Sequence, residues 1–104
     1  MILNDFSDIF QSKLRLMIIS ALITGQKTFK EIKEITGATD GNISVQITNL
    51  EKAGYLIVSK TYNGRKPQTT LSITAEGKEA FIEYVNMLNT LINSVLHPSN
   101  ENKD

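Results

Sequence analysis

The sharpest constraint on the fold is a change of rhythm at Gly54. Before it, Ile43, Ile47 and Leu50 recur at i, i+4 and i+7, the repeat that stacks side chains on one face of a helix. After it, Tyr55, Leu56, Ile57 and Val58 open a dense β-forming run that continues through Tyr62. Residues 68–73 then return as a second strand, with Thr69, Leu71 and Ile73 alternating against Gln68, Thr70 and Ser72. Between the runs, Asn63 and Gly64 offer the positive-φ pair of a two-residue hairpin turn, and a longer tip over residues 63–67 is equally compatible.

The punctuation on either side predicts helices. Residues 6–22 set Phe6, Ile9, Phe10, Leu14, Met17, Ile18, Ala21 and Leu22 at helical spacing with Lys13 and Arg15 outside, a first helix with a break near Gln11. Gly25 is expected to stop it in the left-handed conformation, and a short loop leads on to Lys27. Thr28 and Glu31 have the Thr-x-x-Glu spacing of a capping box. They begin a second helix with Phe29, Ile32 and Ile35 inward and Lys30, Lys33 and Glu34 outward, which ends at Thr36 and Gly37. Thr39 or Asp40 caps a third helix, ended by Gly54. Thr74 caps a last helix from Ala75 toward Leu96, closed by Pro98. On that helix Phe81, Tyr84, Leu88, Leu91 and Val95 follow a 3, 4, 3, 4 spacing, the a/d seam of a coiled coil, widened by Val85, Ile92 and Leu96. A domain this small has difficulty covering so broad a stripe, and a second copy of the chain is the expected cover; folding back on the first helix in a monomer is the alternative.

With 104 residues, 40% of them hydrophobic, the chain has enough apolar surface for one core, assigned to residues 1–97, followed by a polar tail at 98–104. It holds no cysteine and one histidine, His97, so neither thiol chemistry nor a cysteine metal site is available, and no cofactor or metal is expected. No nucleophile, base and orienting group converge, and no phosphate-binding glycine loop appears, which excludes the common enzyme classes. The first ten residues lack the basic start and apolar run of a signal peptide, and no uninterrupted apolar run is long enough for a membrane. A cytoplasmic protein without a membrane partner is the expectation.

Two short helices joined through a glycine, the second polar on its free face, have the organisation of a helix-turn-helix; with the hairpin added this becomes a winged helix. The fold class expected is mainly α with a small β-hairpin wing (α+β), carrying a long C-terminal dimerisation helix. Gly41, Asn42, Val45, Gln46, Thr48 and Asn49 point away from the apolar stripe of the third helix. They are small or amide-bearing, the sizes and donor and acceptor types that meet base edges in a major groove. An ordinary amphipathic surface helix would carry the same stripe. Formal net charge is zero, so affinity for a polyanion must be local. It is local in the hairpin, where Lys60, Arg65 and Lys66 occur with no acid, suiting phosphate or minor-groove contact; a merely solvated turn is the alternative.

A family resemblance lies in Leu14, Arg15 and residues 18–22 of the first helix and in Phe29, Ile32 and Ile35 of the second. It continues through TDGNIS at 39–44, LEKAGY at 50–55, Lys60, GRKPQTT at 64–70, then Ile73, Thr74 and Gly77. The chain resembles small winged-helix transcriptional regulators related to the MarR-like and ArsR-like groups. That resemblance implies a sequence-specific regulator of double-stranded DNA, a homodimer through its terminal helices, acting most often as a repressor. It puts Asn42, Ser44, Val45, Gln46 and Asn49 in the major groove and Arg65 and Lys66 on the backbone or minor groove. Chemically, Gln46 or Asn42 suits an adenine edge, Val45 a thymine methyl, and Thr39 with Ser44 phosphates. Many relatives have a more basic third helix than this one, whose basic residue is Lys52, so two half-sites are the more necessary. A two-fold dimer implies a pseudo-palindromic operator with half-site centres about 34 Å apart or a multiple of it. The metal-sensing clusters of ArsR-like relatives are absent. An organic effector of the MarR-like kind stays open, with Phe10, Tyr84 and Met87 able to line a crevice, although core packing is their simpler role. The competing functional class is a winged-helix protein-interaction module without DNA binding.

Overall fold

A computed structural model describes residues 12–97. Helix α1 spans Lys13–Ile23 and begins where Ser12 accepts a hydrogen bond from the Arg15 backbone N–H, next to the break expected near Gln11. Phe6, Ile9 and Phe10, assigned above to the same helix, lie outside the described residues, as does the tail. Ile18, Ile19 and Leu22 are fully buried. At the end of α1, Thr24 is the C-cap and Gly25 follows it at a positive φ of 138°, a backbone conformation that favours glycine.

The loop expected before Thr28 is instead a two-residue strand, β1 at Lys27–Thr28, paired antiparallel with Leu71 and Thr70. So short a strand has no alternation of its own to display; its partner creates it. Helix α2, Phe29–Thr36, starts with the capping box in full: the Glu31 N–H donates to Thr28 Oγ1 at 3.0 Å and the Thr28 N–H donates to Glu31 Oε1 at 2.8 Å. Ile32 is buried and Phe29 packs on the core, but Ile35 is exposed, against the reading that turned it inward. Steps of three residues fall about 60° short of a full turn, so the second such step carries Ile35 off the stripe.

Gly37 takes the left-handed conformation at φ 71° and reverses the chain into α3, Asp40–Lys52, capped by Thr39. Ile43, Ile47 and Leu50 are buried along one face, as their spacing requires. Strands β2, Leu56–Asn63, and β3, Lys66–Ile73, pair antiparallel from Leu56↔Ile73 to Asn63↔Lys66. The turn is therefore Gly64–Arg65. Gly64 alone takes positive φ there, 68°, and Asn63 closes the ladder rather than sharing the turn. The sheet order is β1-β3-β2, which makes β3 central. Thr70, expected on the polar face, is consequently only 5% exposed beside buried Leu71, and its hydroxyl is satisfied by Thr61 Oγ1 at 2.8 Å.

Thr74 caps helix α4, Ala75–Leu96. Among the described residues, four helices and a three-stranded antiparallel sheet thus enclose one core, to which α1, α2, α3, β2 and β3 contribute Ile18, Ile19, Leu22, Ile32, Ile43, Ile47, Leu50, Leu56 and Leu71. No helix of the described residues is long and apolar enough to cross a membrane.

Candidate nucleic-acid interface

Burial of Ile43, Ile47 and Leu50 turns the opposite face of α3 outward. Asn42, Ser44 and Asn49 are exposed there with Gly41 and Thr48, and Val45 is 56% exposed. Thr39 is exposed too, but its hydroxyl oxygen already accepts the Asn42 N–H at 3.2 Å. Toward a phosphate it keeps its O–H as donor. Gln46 departs from the group: it is half-buried on the flank facing α1, and its Oε1 accepts from Arg15 Nε at 2.5 Å. Helical spacing alone places Arg15 on the outside of the first helix. Its arrival at α3, 31 positions along the chain, follows from how α1 and α3 cross, which no single-helix periodicity contains.

In the wing, Arg65 sits in the turn and Lys66 opens β3, both exposed. Lys60 is exposed on β2, and its Nζ donates to Oγ1 of Thr69, its cross-strand partner, at 3.3 Å. A cleft separates the wing from α2, bordered by Lys30 and Lys33 on one side, Asn63, Lys66 and Gln68 on the other, and Asp40 at the start of α3. The structure therefore joins the first turn of α3 to the wing tip through two cations that were not among the candidates. Their spacing of three on α2 showed that Lys30 and Lys33 share a side, but not that the wing lies opposite. Asp40 complements the positive end of the α3 dipole. Lys33 pairs with it at 2.8 Å and offsets the negative charge it would present to a phosphate.

The five seam positions of α4 do not share one environment. Phe81 and Tyr84 are half-buried and pack on their own domain's core. Leu88 is half-buried beyond that cluster, while Leu91 and Val95 are 49% and 73% exposed, alongside exposed Ile92 and Leu96. Of the residues suggested for an effector crevice, Tyr84 is thus committed to the core, Met87 is half-buried and Phe10 lies outside the described residues.

Known proteins share this architecture. Residues 14–92 match the family model of the winged helix DNA-binding domain. An uncharacterized protein of Methanocaldococcus jannaschii is 33% identical over 79 residues, 74% of this chain and 85% of the relative. Among solved structures, a transcriptional regulator homologue from Pyrococcus horikoshii OT3 superposes with a TM-score of 0.81 at 27% identity, covering 89% of this chain and 95% of that one. A protein assigned to the MarR family of transcriptional regulators, from Enterococcus faecalis V583, shares the fold with a TM-score of 0.74 at 19% identity over 95% of this chain and 89% of its own. Bacillus subtilis PadR, solved with operator DNA, shares it with a TM-score of 0.61 at 18% identity over 67% of this chain and 45% of its own. The chain belongs to the winged helix DNA-binding domain family.

Proposed function

We propose that this chain is a cytoplasmic, sequence-specific regulator of double-stranded DNA that works as a homodimer and represses by occupying its operator. The observation that carries the reading is the bare, uncharged outer face of α3, where Asn42, Ser44, Val45 and Asn49 are exposed beside a cationic wing tip at Arg65 and Lys66. In this reading α3 enters the major groove, where amide and methyl groups have base edges to meet, and the wing holds the backbone or the adjacent minor groove. Exposed Lys60 on β2, and Lys30 and Lys33 across the cleft from Lys66, extend the cationic surface along the phosphates. The PadR structure with operator DNA supplies a precedent for this fold on a duplex.

A zero net charge makes one domain a weak holder of DNA, so two half-sites are required. The exposed residues Leu91, Ile92, Val95 and Leu96 supply an apolar surface for pairing. Titration of the protein against its own upstream DNA by fluorescence anisotropy tests the proposal. Binding is expected to weaken steeply with salt, and Arg65→Ala with Lys66→Ala to reduce the slope of log K against log[salt] by about 2. Binding that is indifferent to salt would remove DNA from the account and leave a protein-interaction module.

A further inference from the structure

From the contact between α1 and α3 we infer that Arg15 dictates which end of the Gln46 amide faces the duplex, making Gln46 a reader of hydrogen-bond acceptors, guanine foremost, rather than an adenine reader. This rests on α3 being the recognition helix. An Arg Nε–H can only donate, so the amide end it holds at 2.5 Å must be the oxygen. Bidentate recognition of adenine needs both ends of an amide: the oxygen for the N6 amino group and the nitrogen for N7. The guanidinium takes one of the two Oε1 lone pairs and draws that oxygen toward α1, which leaves the Nε2 amino group, with two donors and no acceptor, as the end turned from Arg15.

The base edges then rank themselves. Guanine presents N7 and O6, two neighbouring acceptors; thymine presents O4; adenine sets its N6 donor beside N7; cytosine presents only the N4 donor, which an amino group cannot accept. Two features hold the amide in this orientation. The hydrogen bond is charge-assisted, which strengthens it and polarises the far N–H bonds. Gln46 is also half-buried against α1 rather than standing on the outer ridge with Val45, so its rotamers are restricted. Arg15 is thus a positioning residue, and its effect is read in base preference.

Selection of bound duplexes from random DNA by the full chain, followed by measured affinities for the four base pairs at the position that responds to Gln46, tests the inference. Wild type is expected to favour guanine there by about tenfold over cytosine. Gln46→Glu keeps an oxygen for Arg15 but replaces the amino group with a second acceptor, so the preference should invert toward cytosine. Its added negative charge weakens binding to every sequence, which leaves the ratio between base pairs as the readout. Arg15→Leu releases the oxygen and should move the position toward adenine, and Arg15→Lys should retain guanine. The inference is overturned if Gln46→Glu loses affinity equally at all four base pairs, or if folded Arg15→Leu keeps the wild-type ranking. Should Arg15→Leu fail to fold by circular dichroism, Gln46→Glu decides alone. A wild-type protein that selects no sequence overturns the regulator reading itself, a result distinct from selection that ignores Gln46.

Discussion

The two halves of α4 obey one spacing rule and meet opposite fates. At the start, the Thr74 N–H donates to the Tyr55 carbonyl at 3.0 Å and Thr74 Oγ1 donates to the Gly54 carbonyl at 2.7 Å. One turn on, Gly77 is buried against the Tyr55 backbone and the Ile73 side chain, and Ala80, Phe81 and Tyr84 pack on the core. From residue 89 to 97 every side chain is exposed, Leu91, Ile92, Val95 and Leu96 included. At 1.5 Å per residue, Tyr84 lies about 15 Å from Thr74, and the helix runs roughly 18 Å further to Leu96. Periodicity therefore reports that a face is apolar; the reach of the domain decides what covers it.

The largest effect expected on either half is from Gly77→Ala. A Cβ there would overlap the Tyr55 carbonyl oxygen and lie 3.0 Å from Ile73 Cγ1, and a backbone carbonyl cannot rotate away as a side chain can. We expect a loss of about 3 kcal/mol in urea unfolding. A midpoint equal to wild type would mean that α4 can start elsewhere and is not anchored. Phe81→Ala should cost about 2 to 3 kcal/mol at every protein concentration, because its partners belong to the same chain. Leu91→Glu with Val95→Glu should instead leave single-chain stability within about 0.5 kcal/mol, as exposed substitutions do. The same pair should reduce the mass from two chains to one by light scattering and abolish the dependence of Tm on concentration. If the Glu pair destabilised as much as Phe81→Ala at all dilutions, the contrast between the halves would collapse.

What the sequence made legible follows from the range of the interaction concerned. Helix starts at Thr28, Thr39 and Thr74 were readable because a cap is made by residues three apart. The outward face of α3 was readable because Ile43, Ile47 and Leu50 fix its complement. Hidden features all needed a second element. β1 exists through Leu71 and Thr70, burial of Thr70 comes from its central strand, and Lys30 and Lys33 meet Lys66 only across a cleft. The Arg15 contact to Gln46 is of this kind, and it falls in the candidate site.

The smallest effects sharpen the idea of anchoring, because the hydroxyls of two threonines do the same local work and differ in one bond. Thr28 Oγ1 accepts the Glu31 N–H, and Thr74 Oγ1 accepts the Gly77 N–H at 2.9 Å, so each satisfies an orphan donor in the first turn of its helix. Removing such a cap costs about 1 kcal/mol. Thr74 also donates to the Gly54 carbonyl, just past the C-terminal end of α3, which ties the start of one helix to the end of another. Thr28→Ala is accordingly expected to cost about 1 kcal/mol, and Thr74→Ala about 2 kcal/mol once the second hydrogen bond is lost. Thr74→Ser keeps both bonds and should stay within about 0.5 kcal/mol of wild type. Chemical denaturation of the three variants side by side resolves these differences. Equal costs for the two alanine variants would assign nothing to the link with Gly54, and would leave the fit of Gly77 against Tyr55 as what sets α4 on the domain.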